Sequence, residues 1–483
     1  MFSAFRGLGL AGFLALVFTF MAAPCLLAQS AYVYVQSGGS AGPVYGYSAS
    51  SNGQLSTIAG SPFKPGTAIV GGTKTEFFTI GKTLLHSYAV GSNGAIGAQK
   101  SQISFLNYSG GSCGGGTNGL ANGVLDHSGQ YLYVLLENGG DGSCAAYQTY
   151  KINSGGSFSF DGDTELNFGV QSGPNFLSVD LPSILGNETF AYADESSGHN
   201  SSPIGFRRES SGTLQVMQLG EVDPTLANGS YNVSNPDASP IGNFVVLQLY
   251  PNDSNPPQLG SYSVDSNGNL STTNTSTSMP TSALFGPYST FSLDAKFLSL
   301  YANAGTGTGG PGNGIEIYNF NGTSPLSLFK TVLSGTPIDQ VAWDSSNHLY
   351  AISRSLNKLY VFTVTSTSVT QNSSYSITNP LRMVVVSQTA GSCLAPSGSG
   401  INVCSPAENA SVSSPVKVNA MATVSGGVYR FELWSGSTKL VSIDDSGIMN
   451  QSVSLPVGTY HLSFVARNTA GTRVTATRDI TVK

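Results

Sequence analysis

Short apolar strands alternate with glycine, serine and asparagine turns along most of this chain. The clearest copy runs from Leu125 through the apolar segment Tyr131–Val134 and a glycine-rich loop to a further strand-like segment, 145–153. Equivalent segments recur about every fifty residues, a period typical of propeller blades. They are Tyr32–Val35, Phe77–Ile80, Tyr131–Val134, Phe190–Ala193, Phe244–Leu247, Phe297–Leu300 and Leu349–Ile352. Radially repeated four-stranded sheets have this pattern, so the sequence predicts an all-β chain with a seven-bladed β-propeller.

Several of the repeats also carry a hairpin turn near their end. The turns lie in Ser51–Leu55, Ser92–Ile96, Ser210–Leu214 and Ser266–Leu270. Each contains Asn-Gly or Ser-Gly, which suits turns that need a positive φ. These turns are therefore expected to join the two outer strands of a blade.

The two ends of the repeat region complement each other. The first strand-like segment, 31–35, has no innermost strand before it, whereas Asn379–Ser387 follows the seventh repeat without partners of its own. An open array would leave strand edges unpaired. We therefore expect Asn379–Ser387 to complete the first blade, so that residues 31–388 form a closed ring.

A family resemblance follows from three of these features. The run Val124–Val134, the recurring Ser-x-Gly-x-Leu turns and the closing segment Pro380–Val386 resemble the lactonase-type, YVTN-like propellers of the 6-phosphogluconolactonase group. The resemblance covers about residues 31–388. It implies a seven-bladed fold and, as an expectation, hydrolysis of sugar lactones at the mouth of the central channel.

The C-terminal residues 402–483 lack the blade pattern. Their strand-like stretches are Val416–Ala420, Val428–Trp434, Lys439–Ile443, Thr459–Ala466 and Val474–Val482. Short strands at this density predict a small β-sandwich. The segment 458–471 resembles the late strand and turn of bacterial Ig-like domains, with Tyr460 placed for a tyrosine corner, and residues 389–401 are the predicted linker.

The N-terminus has the pattern of an export signal. Arg6 precedes the apolar stretch Leu8–Ala23, and Leu26-Leu27-Ala28 is a suitable cleavage site. Residues 1–28 are therefore predicted to be a signal peptide, with an uncleaved anchor or a lipidated Cys25 as alternatives. No later segment is long and apolar enough to span a bilayer. The protein is predicted to be secreted, periplasmic or attached to the cell surface.

Four cysteines follow the predicted cleavage site: Cys113, Cys144, Cys393 and Cys404. Four cysteines allow three pairings, and nearness along the chain favours Cys113–Cys144 and Cys393–Cys404. A metal site is the alternative, but no CxxC pair or histidine cluster accompanies them. We predict disulfides, no metal site and no cofactor.

Composition narrows the possible partners. Charged residues make up only 10% of the chain, the net charge is −6, and no run of Lys or Arg forms a basic patch. We therefore predict no nucleic-acid partner. An envelope protein or a glycan is the expected partner, and the protein is predicted to be a monomer.

Candidate catalytic residues lie in the loops that lead into each innermost strand, because these loops surround the mouth of a propeller channel. Lactonase-type relatives often have Pro-x-His there, with Arg and Glu nearby. The corresponding segments here contain no histidine, and their only charged residues are Asp237, Asp339 and Arg382. A carboxylate could activate water while Arg382 stabilises the oxyanion. Asn175 and Tyr288 are the candidate ligand-binding residues.

Two hypotheses of function remain. The first is an exported, non-catalytic binding or scaffold protein that uses the propeller loops as its contact face, because the lead-in loops lack the expected histidine. The alternative is a lactonase-like hydrolase that acts on sugar lactones through Asp237 or Asp339 with Arg382. Convergence of these three side chains on one pocket would favour the alternative.

Overall fold

The computed structural model describes most of the chain outside the N-terminal segment. The described residues are 29–105, 122–137, 145–166, 177–197, 200–217, 232–250, 257–284, 288–303, 312–387, 396, 399–424, 428–444 and 447–483. Within these ranges every regular element is a β-strand, and no helix is long and apolar enough to cross a membrane. The predicted signal peptide, Asn175, Cys113, Cys144 and Cys393 lie outside the described residues and stay predictions.

The repeated region contains 29 of the strands. In chain order they are β1 (Gln29–Ser37), β2 (Val44–Ser50), β3 (Leu55–Thr57), β4 (Ala68–Gly72), β5 (Glu76–Ile80), β6 (Leu84–Val90), β7 (Ile96–Ser104), β8 (Asn122–Leu125), β9 (Tyr131–Glu137), β10 (Ala145–Ile152), β11 (Phe158–Glu165), β12 (Leu177–Val179), β13 (Ser183–Ile184), β14 (Phe190–Ser197), β15 (Asn200–Arg208), β16 (Leu214–Met217), β17 (Asn232–Ala238), β18 (Phe244–Tyr250), β19 (Gln258–Val264), β20 (Leu270–Ser271), β21 (Tyr288–Phe291), β22 (Phe297–Ala302), β23 (Gly314–Asn319), β24 (Ser327–Val332), β25 (Gln340–Trp343), β26 (His348–Ser353), β27 (Lys358–Val364), β28 (Val369–Ser376) and β29 (Pro380–Ser387).

These strands form seven antiparallel sheets, which are the blades of the predicted propeller. From the innermost strand outward, the sheets are β29-β1-β2-β3, β4 to β7, β8 to β11, β12-β14-β15-β16 with β13 also paired to β14, β17 to β20, β21 to β24 and β25 to β28. Every apolar segment of the sequence pattern is the second strand of a blade. The all-β, seven-bladed prediction is confirmed.

Ring closure occurs through the predicted strand. β29 pairs with β1 in antiparallel register, from Ala31 opposite Ser387 to Val35 opposite Met383. The side chain of Gln340, in the innermost strand of the seventh blade, accepts from the Met383 N–H at 2.7 Å and donates to the Met383 carbonyl at 3.0 Å. The last blade is therefore tied to the strand that completes the first.

Burial explains why the second strands are the most apolar. β26 is buried at every position, whereas the outermost strand of the same blade, β28, has no buried residue. A second strand is covered on both faces by the neighbouring blades, so its successive residues are apolar. The outermost strand faces water and is polar.

Tyrosines of the second strands fasten three of the blades to the hairpin turn of the next blade. Tyr34, Tyr133 and Tyr192 donate to the carbonyls of Gly94, Gly212 and Gly268 in the following blades, at 2.7, 2.8 and 2.8 Å. All three glycines have a positive φ, and a Cβ at each would come within 3 Å of a neighbouring side chain. Glycine is therefore required by the turn and by the close approach of the adjacent blade.

The C-terminal region contains the remaining eight strands. They are β30 (Gly400–Ser405), β31 (Ala410–Val412), β32 (Val416–Thr423), β33 (Arg430–Ser435), β34 (Thr438–Asp444), β35 (Ile448–Val453), β36 (Gly458–Arg467) and β37 (Arg473–Val482). They form a three-stranded sheet, β30-β32-β35, and a five-stranded sheet, β31-β37-β36-β33-β34. Both sheets contribute to one hydrophobic core. β30 begins two residues before the predicted 402, and β1 begins two residues before the predicted 31.

Tyr460 makes the contact expected of a tyrosine corner, because its hydroxyl donates to the carbonyl of Pro456 at 2.9 Å. We expect Tyr460→Phe to lower the free energy of unfolding by about 1 kcal/mol, the usual net value of one hydrogen bond. Urea denaturation of the parent and the variant, followed by tryptophan fluorescence with Trp343 replaced by Phe in both, would measure this. A change within error would show that the hydroxyl contributes nothing to stability.

Candidate functional site

The candidate site is formed by residues on or beside the innermost strands of the fourth to seventh blades. Asp237 is on β17 in the fifth blade, at an irregularity in the pairing with β18 between Ser234 and Asp237. Asn235, inside this irregularity, has a φ of 48°. A bulge of this kind re-aims the side chain beside it and is frequent next to functional sites.

The Asp237 carboxyl has one bonded oxygen and one that is enclosed and unsatisfied. The Ser183 hydroxyl, from the fourth blade, donates to Oδ1 at 3.3 Å and itself accepts from the Ala238 N–H at 2.8 Å. Oδ2 is shielded from solvent and accepts no hydrogen bond of ordinary geometry from the described residues, although the hydroxyl of Ser289 acts on the same carboxyl. Since a buried acceptor is normally paired, this oxygen marks Asp237 as unusual.

Burial raises the pKa of Asp237 to about 7, from an ordinary value of 3.8, while the hydroxyls of Ser183 and Ser289 partly oppose the shift. Desolvation has this effect because it disfavours the charged form of a carboxyl. A carboxyl with a pKa near neutrality can both take and return a proton at physiological pH. That is the property of a general acid–base residue.

Tyr301 of the sixth blade lies within electrostatic reach of this carboxyl, and Tyr288 of the same blade packs against Tyr301. Tyr288, at the start of β21, is 56% exposed, and its ring centroid is 5.7 Å from that of Tyr301 on β22. Burial raises the pKa of Tyr301, and Tyr288, Asp237 and Asp339 raise it further through their charges. The Tyr301 hydroxyl therefore stays protonated, within electrostatic reach of both predicted aspartates.

Asp339, just before β25 in the seventh blade, is fully engaged. Its Oδ1 accepts from the Asn303 side chain at 2.7 Å, and its Oδ2 accepts from the Arg354 N–H at 2.6 Å. The Arg354 side chain lies 3.7 Å from Oδ1. These contacts tie the ends of β22 and β26 together, which is a positioning role rather than that of a base.

Arg382 lies apart from both aspartates. It is on β29 opposite Gln36, and its guanidinium donates to the Asn122 side chain of the third blade at 3.1 Å. Burial lowers its pKa, and no carboxylate among the described residues pairs with it. The structure thus groups Asp237, Asp339 and Tyr288 around Tyr301, whereas Arg382 does not join them.

No group of three or more His, Cys, Asp or Glu side chains in the described ranges could hold a metal ion. Sequence reasoning missed Tyr301, Ser183 and Ser289. Tyr301 is the penultimate residue of β22 and lies opposite Tyr288, the first residue of the innermost strand β21. That alignment could have pointed to it.

No family model matches the chain, and no curated protein matches it. The periplasmic gluconolactonase of Pseudomonas aeruginosa superposes with a TM-score of 0.51 at 14% identity, over 74% of this chain and 99% of that chain. A provisionally assigned 6-phosphogluconolactonase of Bacteroides fragilis gives 0.52 at 11% identity, over 74% and 98% of the two chains.

The chain has the propeller fold of these lactonases. A similarly assigned protein of Bacteroides uniformis gives a TM-score of 0.52 at 13% identity, again over 74% of this chain. At such identities the likeness shows the fold alone, so the function must be argued from the site.

Proposed function

We propose that this protein is an exported lactonase-type hydrolase that opens the cyclic ester of a sugar lactone at the channel mouth. The observation that carries the proposal is the carboxyl of Asp237, whose pKa is raised to about 7 and whose Oδ2 is enclosed without a partner among the described residues. A strongly shifted carboxyl in a cleft is a functional candidate on physical grounds.

The proposed reaction uses three side chains of the site. Ionised Asp237 takes a proton from water through the hydroxyl of Ser289, and the water oxygen bonds to the lactone carbonyl carbon. The carbonyl oxygen becomes an oxyanion, to which the protonated Tyr301 hydroxyl donates. The ring C–O bond then breaks, and the leaving oxygen takes back the proton held by Asp237. The product is the open hydroxy acid, and Asp237 is again ionised.

The scaffold hypothesis rested on the missing histidine, and the geometry supplies another titratable group in its place. The solved structures that share this fold include a protein named as a periplasmic gluconolactonase, which also favours the hydrolase. We further propose a periplasmic or extracellular location and an Ig-like assignment for the C-terminal sandwich, supported by the Tyr460 contact.

Activity should rise with pH in a way that reports the Asp237 carboxyl. In a screen of aldono-1,4- and 1,5-lactones, corrected for spontaneous hydrolysis, kcat/KM is expected to increase through an apparent pKa near 7, because only the ionised carboxyl accepts a proton. Continuous titration of the released acid would measure it. No hydrolysis above the blank for any sugar lactone would refute the proposed function.

The Ser289 relay has its own test. Ser289→Ala should lower kcat by about tenfold or more, since general acid–base contributions are commonly larger than that. Ser263→Ala is the matched control, because Ser263 lies on the outer part of the fifth blade and its hydroxyl is exposed. Equal rates for the two variants would remove Ser289 from the mechanism while leaving Asp237 to be tested separately.

A further inference from the structure

Three arginines lie directly opposite one another on adjacent strands of the five-stranded sheet. Arg430 on β33 faces Arg467 on β36, and Arg467 faces Arg473 on β37. The neighbours Phe431 and Ala466 belong to the core of the sandwich, so the three arginines lie on the outer face. Neighbouring strands are about 4.8 Å apart, so this arginine row spans about 10 Å.

Like charges placed directly opposite each other destabilise a sheet. At the other end of the same two strands, His461 on β36 faces Asp479 on β37, with Nδ1 and Oδ1 2.6 Å apart. One end of the sheet therefore pairs complementary groups, whereas the other sets three cations side by side. Threonines such as Thr475 occupy nearby outward positions of β37. A threonine in place of an arginine of the row would therefore suit the strand and remove the repulsion.

The charges around the row leave part of it unneutralised. Glu432 accepts from Arg467 at 3.1 Å and from Lys439 at 3.3 Å, so both of its oxygens are already used. The Nε of Arg467 is enclosed and has no hydrogen-bond partner among the described residues. Arg473 is exposed, and none of the described carboxylates forms an ion pair with it. Asp444 lies opposite Arg430 in the register of β34.

An aromatic ring borders the row. Tyr429 is 41% exposed, and the Arg430 guanidinium lies 5.4 Å from the centre of its ring. Arginine forks suit carboxylates, and an exposed tyrosine offers an apolar face to a sugar ring. Basic clusters that bind membranes typically hold about four to eight Lys or Arg, more than this row contains.

We propose that the arginine row, with Tyr429 beside it, binds an acidic polysaccharide through its uronic-acid carboxylates. The surface belongs to the C-terminal sandwich, so the proposal is independent of the hydrolase function.

Binding of the full-length protein to polygalacturonate is the direct test, with dextran as the neutral polymer. The parent should bind polygalacturonate in a salt-sensitive manner and should not bind dextran. An Arg430→Ser/Arg473→Ser variant should lose about tenfold or more in affinity, since hydrogen bonds to charged groups are removed. Lys417→Ser, which removes an exposed charge from the other sheet, should stay within about twofold of the parent.

Three results would overturn the proposal. They are no retention on polygalacturonate, an equal loss in the Lys417→Ser control, and binding to phosphatidylglycerol vesicles without binding to the polyuronide.

Thermal unfolding of Arg473→Thr separates an effect on binding from an effect on folding. Its midpoint should equal or exceed that of the parent, because the substitution relieves repulsion, whereas a lower midpoint would show that the row stabilises the sheet.

Discussion

The Asp237→Asn variant is expected to lose about a hundredfold or more in kcat/KM for lactone hydrolysis and to be more stable than the parent above pH 7. Both effects come from the raised pKa of the same carboxyl. The native state holds the Asp237 proton up to about pH 7, whereas the unfolded state releases it near 3.8. This contribution to stability is fully present below pH 3.8, declines as the pH rises and is lost above 7.

Asparagine does not titrate, so it avoids this loss. The stability difference between variant and parent should grow from near zero at pH 4 to about 2–4 kcal/mol at pH 8, at about 1.4 kcal/mol for each unit of pKa shift after allowance for partial exposure. Urea denaturation at a series of pH values would measure it, alongside the rates. A gain in stability with a loss of activity is the sign of a strained functional group.

Asp265→Asn is the matched control, because Asp265 lies in an exposed hairpin turn of the same blade and accepts from the N–H groups of Asn267 and Asn269. Its rates should match those of the parent. If Asp237→Asn keeps the parent's activity, Asp237 is not the base. If its stability does not change with pH relative to the parent, the pKa of Asp237 is not raised.

Much of the fold could be predicted because each blade repeats the same physical requirements. A second strand covered on both faces must be apolar throughout, and a turn such as that at Gly212 needs a positive φ. The closing strand was predictable because Pro380–Ser387 had strand character without a hairpin partner. The hydrogen bond from Tyr133 to Gly212 was not, because its partners are 79 residues apart and meet only when the blades pack.

The candidate site was predictable in part. The loops that lead into the innermost strands surround the mouth of a propeller channel, so their charged residues were the candidates. Asp237 and Asp339 were identified in this way. Their different roles depend on contacts made by other blades. Asn303 and Arg354 occupy both oxygens of Asp339, whereas Oδ2 of Asp237 stays unpaired among the described residues. No sequence pattern carries that difference.

Asp344→Ala is expected to have the largest effect on stability, a loss of about 3–5 kcal/mol, because it leaves several buried donors without an acceptor. Asp344 Oδ2 accepts from the Ser30 and Tyr350 hydroxyls, each at 2.9 Å, and lies 2.8 Å from the His348 Nδ1. Its Oδ1 accepts from the N–H groups of Ser346 and His348, each at 2.9 Å. Ser30 belongs to β1, so this buried cluster joins the seventh blade to the first at the point where the ring closes.

The same cluster predicts how stability depends on acid. Burial tends to raise the pKa of Asp344, but the contacts with His348 outweigh it and hold the pKa below 3.8. A lowered pKa stabilises the native state above the unfolded value, and that contribution is lost as the pH falls through the folded value. The difference in the free energy of unfolding between the parent and Asp344→Ala should therefore shrink below about pH 4.

Hydrogen exchange should show β1 and β29 opening first in the variant. Tyr350→Phe, which removes one donor, should lose only about 1 kcal/mol. If Asp344→Ala loses less than about 1 kcal/mol, or if all blades open uniformly, ring closure does not depend on this carboxylate.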